Sequence, residues 1–230
     1  MKGCIIVLLG IILLIIIGVV SLLMPKSLGV SYTPADLESI YKKVGVTFVP
    51  LPPGTPPGKS LIVSGSHPVD ETFSSEEITA AADNRYKEFA YFPFRNVQIK
   101  INTDGSVEGS ATVQYSDAVR YLVALGVAPK DIEDAAKKFN IPNANLPVYM
   151  KASGEVVKNK SNIRVSEAKI SRIAIPSSFI QEYGPALNIL IDSIISTRKP
   201  SYDIQKLSVE NGKVRFIGSA PDKEQAVKRL

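Results

Sequence analysis

The chain has 230 residues, of which 45% are hydrophobic, and it carries a net charge of +5. Its single cysteine and single histidine exclude an intrachain disulfide, a CxxC zinc or redox site, and any metal site that needs two histidines. The sequence also contains no P-loop, no GxGxxG motif and no GxSxG elbow, so we expect no cofactor and no enzymatic activity.

Cys4 to Met24 is an uncharged apolar run of 21 residues. As an α-helix it spans about 31 Å, which is enough to cross the hydrocarbon core of a bilayer. It is longer than the apolar region of a signal peptide, and no A-x-A-like cleavage site follows it. We therefore expect residues 1–26 to form a single-pass anchor in the cell membrane with the C-terminal part extracytoplasmic, and a cleaved signal peptide is the alternative.

Residues 27–59 are predicted to hold a short helix and a proline-rich stem. Thr33 is a suitable N-cap with Pro34 at the first helical position, and the apolar spacing predicts a helix that ends near Gly45. The stretch 50–58 (PLPPGTPPG) is typical of an extended, semi-rigid connector.

Helices and strands alternate irregularly from residue 60 onward. Residues 61–63 are predicted to be a short strand, and Ser74 with Glu77 forms a capping box that begins a helix. Alternating apolar residues on both sides of Asp104-Gly105 predict a β-hairpin over 94–113. Two helices are expected within 116–140.

Two long strands are predicted at 146–157 and 163–175, joined by a polar turn over 158–162. A change in the phase of the apolar alternation indicates a bulge near Ser166. Residues 177–197 then form the strongest amphipathic helix, which Pro185 is expected to kink or divide. Strands at 202–209 and 213–217 flank Asn211-Gly212, and the charged tail 221–230 is predicted to be helical.

The predicted fold is α+β: an N-terminal transmembrane helix followed by a curved, mostly antiparallel sheet that packs on a long amphipathic helix. The corresponding domains are the anchor (1–26), the short helix and stem (27–59), and an extracytoplasmic domain (60–230). Because the strands pair through hairpins, a Rossmann-type sheet is not expected.

His67 lies in a Gly/Ser/Pro loop with Asp70 and Glu71. These side chains could bind a metal ion, but one histidine without a ligand repeat favours a solvated acidic loop, so no metal site and no catalytic residue are predicted. Residues 141–230 hold 14 basic and eight acidic residues. This excess could complement an anionic lipid headgroup or a cell-wall polymer, or it could be an ordinary solvated surface; nucleic acid is not an expected partner.

Three blocks carry a resemblance to a known group of proteins. They are FSSEEITAAAD (73–83) leading into FPFRNVQIKINTDGSVEGSATV (92–113), NLPVYMKASGEVVKNKSNIRVSEAKISRIAIPSSFI (145–180), and IQKLSVENGKVRFIGSAP (204–221). Together they resemble membrane-anchored envelope proteins of bacteria and the TULIP-like lipid-binding group. The resemblance implies a long helix wrapped by a strongly curved antiparallel sheet, and it assigns no binding residue.

The sequence therefore predicts a non-enzymatic envelope protein that binds lipid or another amphiphile between helix 177–197 and the sheet. A scaffolding role in an envelope assembly, through protein–protein contacts, is the alternative. The residues predicted to contact the apolar chain are Phe179, Tyr183, Leu187, Leu190, Ile191, Ile194, Val97 and Ile99. Those predicted to hold an anionic headgroup are Lys151, Arg164 and Arg172.

Overall fold

The structure, a computed structural model, describes residues 24–229. Within that range the chain forms five α-helices and eleven strands in an α+β arrangement with mostly antiparallel sheets. The helices are α1 (Pro34–Val44), α2 (Ser75–Glu88), α3 (Tyr115–Ala124), α4 (Pro129–Lys138) and α5 (Ser177–Thr197). The strands are β1 (Thr47–Leu51), β2 (Leu61–Ser64), β3 (His67–Phe73), β4 (Phe94–Ile101), β5 (Ser106–Val113), β6 (Leu146–Val157), β7 (Lys160–Ile170), β8 (Ile173–Ala174), β9 (Asp203–Glu210), β10 (Lys213–Ala220) and β11 (Lys223–Val227).

Local sequence signals set both ends of α1 and the start of α2, as predicted. The Thr33 hydroxyl accepts a hydrogen bond from the Asp36 N–H at the start of α1, and Gly45 ends that helix in the left-handed conformation. At the start of α2, Ser74 and Glu77 form a reciprocal capping box. Each interaction satisfies backbone groups that a helix end otherwise leaves unpaired.

An eight-stranded sheet, here called the main sheet, contains most of the strands. Its order is β3-β10-β9-β6-β5-β4, and β7 pairs with the other side of β6 and with β8. The predicted hairpins at Asp104-Gly105 and Asn211-Gly212 are both present. The predicted bulge is also confirmed, because Glu167 pairs with Lys151 and Val165 with Ala152, which leaves Ser166 unpaired. The β6–β7 turn is shorter than predicted and consists of Lys158 and Asn159, both with positive φ.

The two faces of the main sheet differ in chemistry along β4, β5 and β6. Ile99, Gly109 and Met150 are directly opposite one another across the three strands. Since side chains alternate along a strand, these residues share one face, here called the apolar face. The adjacent cross-strand row of Lys100, Glu108 and Lys151 lies on the other, polar face.

A second, three-stranded sheet has the order β1-β11-β2. Its central strand corrects the prediction of a helical tail over 221–230, because residues 223–227 are a strand paired on both sides. Burial of Ala226 and Val227 within this small sheet outweighs the local helix preference of a charged sequence.

The predicted proline-rich stem is also incorporated into the folded unit. Residues 47–51 form β1, which pairs in parallel with β11, and α1 contacts α2. The boundary predicted at residue 60 therefore does not separate two packing units. Local hairpin signals do not predict the parallel pairing of β1 with β11, because these strands are distant in sequence.

Helix α5 has the predicted bounds, Ser177–Thr197, and runs through Pro185 as one continuous helix. It contacts β7. No helix within residues 24–229 is both long and apolar enough to cross a membrane. The predicted anchor falls almost entirely on residues 1–23, which lie outside the described part of the chain.

Candidate functional site

A cavity of about 360 Å³, here called the apolar groove, lies between α5 and the apolar face of the main sheet. Helix α5 contributes Leu187 and Ile191, and β7 contributes Ile163. Glu155 is the one ionisable residue among the described residues that line it. The sheet side is formed by Ile99, Gly105, Val107, Gly109, Met150, Ala152, Ser153, Gly154, Glu155, Val156, Leu207, Ser208, Val209 and Val214.

Two glycines on the sheet side have different roles in forming this groove. A Cβ added at Gly109 would have no atom within 4 Å, so the missing side chain leaves open space in the middle of β5. A Cβ at Gly154 would instead collide with the backbone of Asn162, and this residue has a φ of +139°. Gly154 therefore allows β7 to approach closely, whereas Gly109 provides volume.

Three of the eight residues predicted to contact an apolar chain line the groove, namely Leu187, Ile191 and Ile99. Phe179 and Tyr183 instead pack edge-on against Phe139, the residue that follows α4, with ring centroids 5.4 and 5.2 Å away. The other three predicted residues lie elsewhere. Val97 is buried, and its N–H donates to Asp83 of α2. Leu190 is half-buried on α5, and Ile194 lines a different cavity.

The structure does not place the three predicted headgroup residues at the groove. Lys151 lies on the polar face, where its Nζ is 3.7 Å from the Asp104 carboxylate. Arg164 pairs with Ser153 across β6 and β7, and it directly follows the groove residue Ile163. Because side chains alternate along a strand, Arg164 also lies on the polar face. Arg172 lies in the exposed turn between β7 and β8.

A second cavity of about 320 Å³ lies at the C-terminal end of α5. It has a mixed lining, in contrast to the apolar groove. Arg85 and Glu224 form an ion pair in its wall. The remaining lining residues are Leu61, Val63, Tyr121, Leu125, Ile194, Ile195, Arg198, Tyr202 and Ile204.

The two tyrosines of the second cavity are held in a desolvated setting. Burial raises the pKa of both Tyr121 and Tyr202 further above neutral pH, where a tyrosine hydroxyl already keeps its proton. Among the described residues, neither hydroxyl has a hydrogen-bond partner. Each is therefore able to donate a hydrogen bond to a ligand.

Sequence reasoning did not identify the polar residues of the second cavity. Arg198 lies just beyond the end of α5, where a periodicity argument stops, and the sequence indicates Tyr202 only as the first residue of a strand. One usable signal was present, because Arg198 is seven residues after Ile191 and so continues the apolar stripe of α5.

The prediction of a solvated acidic loop around His67 is wrong. His67 begins β3, and its Nδ1 lies 2.9 Å from the Asp222 carboxylate while its Nε2 lies 2.9 Å from the Val44 carbonyl oxygen. Asp70 pairs with Arg215 on the adjacent strand β10. Residues 24–229 contain no group of three or more His, Cys, Asp or Glu side chains that could hold a metal ion.

No family model, curated protein or solved structure matches the chain.

Proposed function

We propose that the protein is a non-enzymatic, membrane-anchored envelope protein that binds the aliphatic chain of a lipid or another amphiphile in the apolar groove. The proposal includes an N-terminal transmembrane helix within residues 1–26, an extracytoplasmic location for the remainder, and kinship with the TULIP-like lipid-binding group. In that arrangement the main sheet curves around α5.

The observation that carries this proposal is the apolar groove itself. Its volume of about 360 Å³ falls in the range of about 300–1,000 Å³ that is usual for small-molecule sites. Its lining offers an aliphatic chain almost nothing but hydrocarbon, and each methylene group buried there contributes about 0.8 kcal/mol. A polar metabolite would find few hydrogen-bond partners in the same space.

The membrane anchor is supported by the sequence. Residues 4–24 are uncharged, and the chain is held on the main sheet almost immediately afterwards. Lys26 Nζ lies 3.2 Å from the Glu108 carboxylate and 3.8 Å from the centre of the Tyr149 ring. A lipid-binding domain attached in this way would stay close to a source of ligand.

A cavity-filling variant tests the proposal directly. Gly109→Val adds a side chain where a Cβ meets no other atom, and valine is well suited to a strand, so we expect the fold to be retained and the groove to be filled. The full-length protein in lipid nanodiscs would be labelled with a fatty acid that carries a photoactivatable diazirine in mid-chain, and the labelled peptides identified by mass spectrometry. We expect labelling near Leu187 and Ile191 to fall at least fivefold in the variant.

Gly58→Val is the matched control, because it makes the same change at an exposed glycine outside the groove. It should label like the wild type. Equal labelling of Gly109→Val and wild type, or labelling restricted to residues 4–24, would contradict the proposal.

The scaffolding alternative has one observation in its favour. Ile170, Ile173 and Phe179, near the β7–β8 turn and the start of α5, expose 43%, 76% and 37% of their surface. Exposed apolar residues of this kind are typical of protein–protein contacts. Cross-linking in native membranes that recovers only the monomer would count against this role.

A further inference from the structure

The apolar groove and the second cavity lie along one side of α5. Leu187 and Ile191 line the groove, and Ile194, Ile195 and Arg198 line the second cavity. The spacings of three, four and seven residues between them place all five side chains on one helical stripe. Eleven residues separate Leu187 from Arg198, which corresponds to about 16 Å along the axis, a distance that an extended aliphatic chain can span.

Strand β9 passes from one cavity to the other on the opposite wall. Leu207 lines the groove and Ile204 lines the second cavity. An odd spacing would normally direct these side chains to opposite faces. The pairing of Lys206 with Ile217 and of Ile204 with Gly218 leaves Gln205 as an extra, bulged residue, which brings Ile204 and Leu207 to the same face.

Arg198 is a cation of the second cavity that has no counter-ion among the described residues. The Arg85 guanidinium is committed to Glu224, whose side chain is 6% exposed. Arg198 has no carboxylate within 4 Å among the described residues, and its Nη2 makes only a 3.5 Å hydrogen bond to the Ala124 carbonyl oxygen. An anion beside Arg198 would therefore form an ion pair that no residue within 24–229 supplies.

We propose that the second cavity holds the anionic headgroup, a carboxylate or a phosphate, of the amphiphile whose chain occupies the apolar groove. This inference rests on the proposed function and adds the ligand class and the orientation of the ligand along α5. Arg198 provides the charge, and the hydroxyls of Tyr121 and Tyr202 are the available donors. The basic residues that the sequence suggested for this role, Lys151 and Arg164, lie on the polar face instead.

The test compares anionic and uncharged ligands that share one chain. Oleate, oleoyl lysophosphatidate and oleyl alcohol would each compete with the diazirine fatty acid for the full-length protein in nanodiscs. Arg198→Gln should weaken competition by the two anions at least about tenfold and leave oleyl alcohol unchanged, because loss of a charged hydrogen bond acts on the anions alone. Arg164→Gln, an exposed arginine on the polar face, is the matched control and should change none of the three.

One further variant and two outcomes of the competition test separate the possible failures. Arg198→Lys keeps the charge and should keep the preference for anions, which would distinguish headgroup binding from a structural role of Arg198. If Arg198→Gln leaves the preference for anions over oleyl alcohol unchanged, the headgroup assignment is overturned while chain binding in the groove still holds. If no ligand displaces the probe from groove peptides of the wild type, the proposed function itself fails.

Discussion

A close contact between Gly45 and His67 connects three parts of the chain. Gly45 has a φ of +69°, and a Cβ there would lie 2.9 Å from His67 Nε2. That nitrogen is hydrogen-bonded to the carbonyl oxygen of Val44 at the end of α1. The other ring nitrogen is hydrogen-bonded to the carboxylate of Asp222, which precedes β11. The single histidine of the chain thus joins the first helix, the first strand of the main sheet and the small sheet.

We expect Gly45→Ala to lower the free energy of unfolding by more than the usual cost of alanine in the left-handed region, which is about 1–2 kcal/mol. The additional loss would come from displacement of His67. Gly54→Ala is the matched control, since Gly54 also has a positive φ but has open space around a Cβ. Urea unfolding of residues 24–230, followed by circular dichroism, would measure both, and equal losses would show that the His67 contacts add nothing.

Glu77 is a second residue that joins separate elements. Its carboxylate accepts hydrogen bonds from Lys43 Nζ at 2.6 Å and from Ser39 Oγ at 2.5 Å, both on α1, and it caps α2 through the Ser74 N–H. Burial alone would raise the pKa of this carboxyl group, but the hydrogen bonds from Lys43, Ser39 and Ser74 outweigh burial, so the pKa lies below its usual value of 4.5.

A depressed folded-state pKa stabilises the protein above the unfolded-state pKa, and that contribution is lost as the pH falls through the folded-state value. We expect Glu77→Gln to cost about 1.5–3 kcal/mol at pH 7, as for a hydrogen bond to a charged group. The difference between wild type and variant should shrink as the pH falls below about 4.5. Urea unfolding at a series of pH values would reveal this, and a constant difference down to pH 3 would contradict it.

At the scale of elements, two helices use polar side chains to protect the open edges of β4 and β7 in the main sheet. On α2, Ser75, Thr79 and Asp83 follow one another at intervals of four residues, and their oxygens accept from the N–H groups of Ile101, Ile99 and Val97 on β4. On α5, Asn188 and Asp192 bind Ile163 and Ser161 of β7 in the same way. The helices thus satisfy backbone groups that an open sheet edge would leave unpaired.

Asn188 bonds both backbone groups of Ile163, accepting from its N–H at 2.8 Å and donating to its carbonyl oxygen at 2.9 Å. We expect Asn188→Ala to lower the free energy of unfolding by about 1–3 kcal/mol, because it leaves partners on β7 unsatisfied. Hydrogen exchange should accelerate at the Ile163 amide. Ser193→Ala, on the exposed side of α5, is the control, and unchanged exchange at Ile163 in Asn188→Ala would refute the edge-protecting role.

The elements that could be predicted from the sequence are those that carry their own local signal. Capping residues and apolar spacing located α1, α2 and α5, and turn residues located the hairpins at Asp104-Gly105 and Asn211-Gly212. Strands β3 and β11 were missed because their stability comes from neighbours that are distant in sequence, as when Lys223 pairs with both Thr47 and Ser64. The stripe of Ser75, Thr79 and Asp83 was present in the sequence but indistinguishable from a solvated helix face.

At the scale of the whole molecule, the location of the candidate site was predictable but its composition was only partly so. The amphipathic stripe of α5 indicated an interface with the sheet, and Leu187 and Ile191 lie there. Which residues surround the groove depends on strand register, and the register determines that Met150 faces it while Lys151 does not. The role of Arg198 could not be predicted from the sequence. It depends on the presence of Arg85 and Glu224 in the same cavity, and both are distant from Arg198 in sequence.

The position of Lys26 on the polar face limits how the domain can stand on a bilayer. Lys26 and Leu28 attach to Glu108, Tyr149 and Gln98, all on the face opposite the groove. If residues 4–24 span the membrane, only one residue, Pro25, separates the membrane segment from this attachment. The polar face of the main sheet would then face the bilayer surface. The groove then lies on the side of the sheet that faces away from the bilayer, and a ligand from that bilayer would have to pass around a sheet edge to reach it.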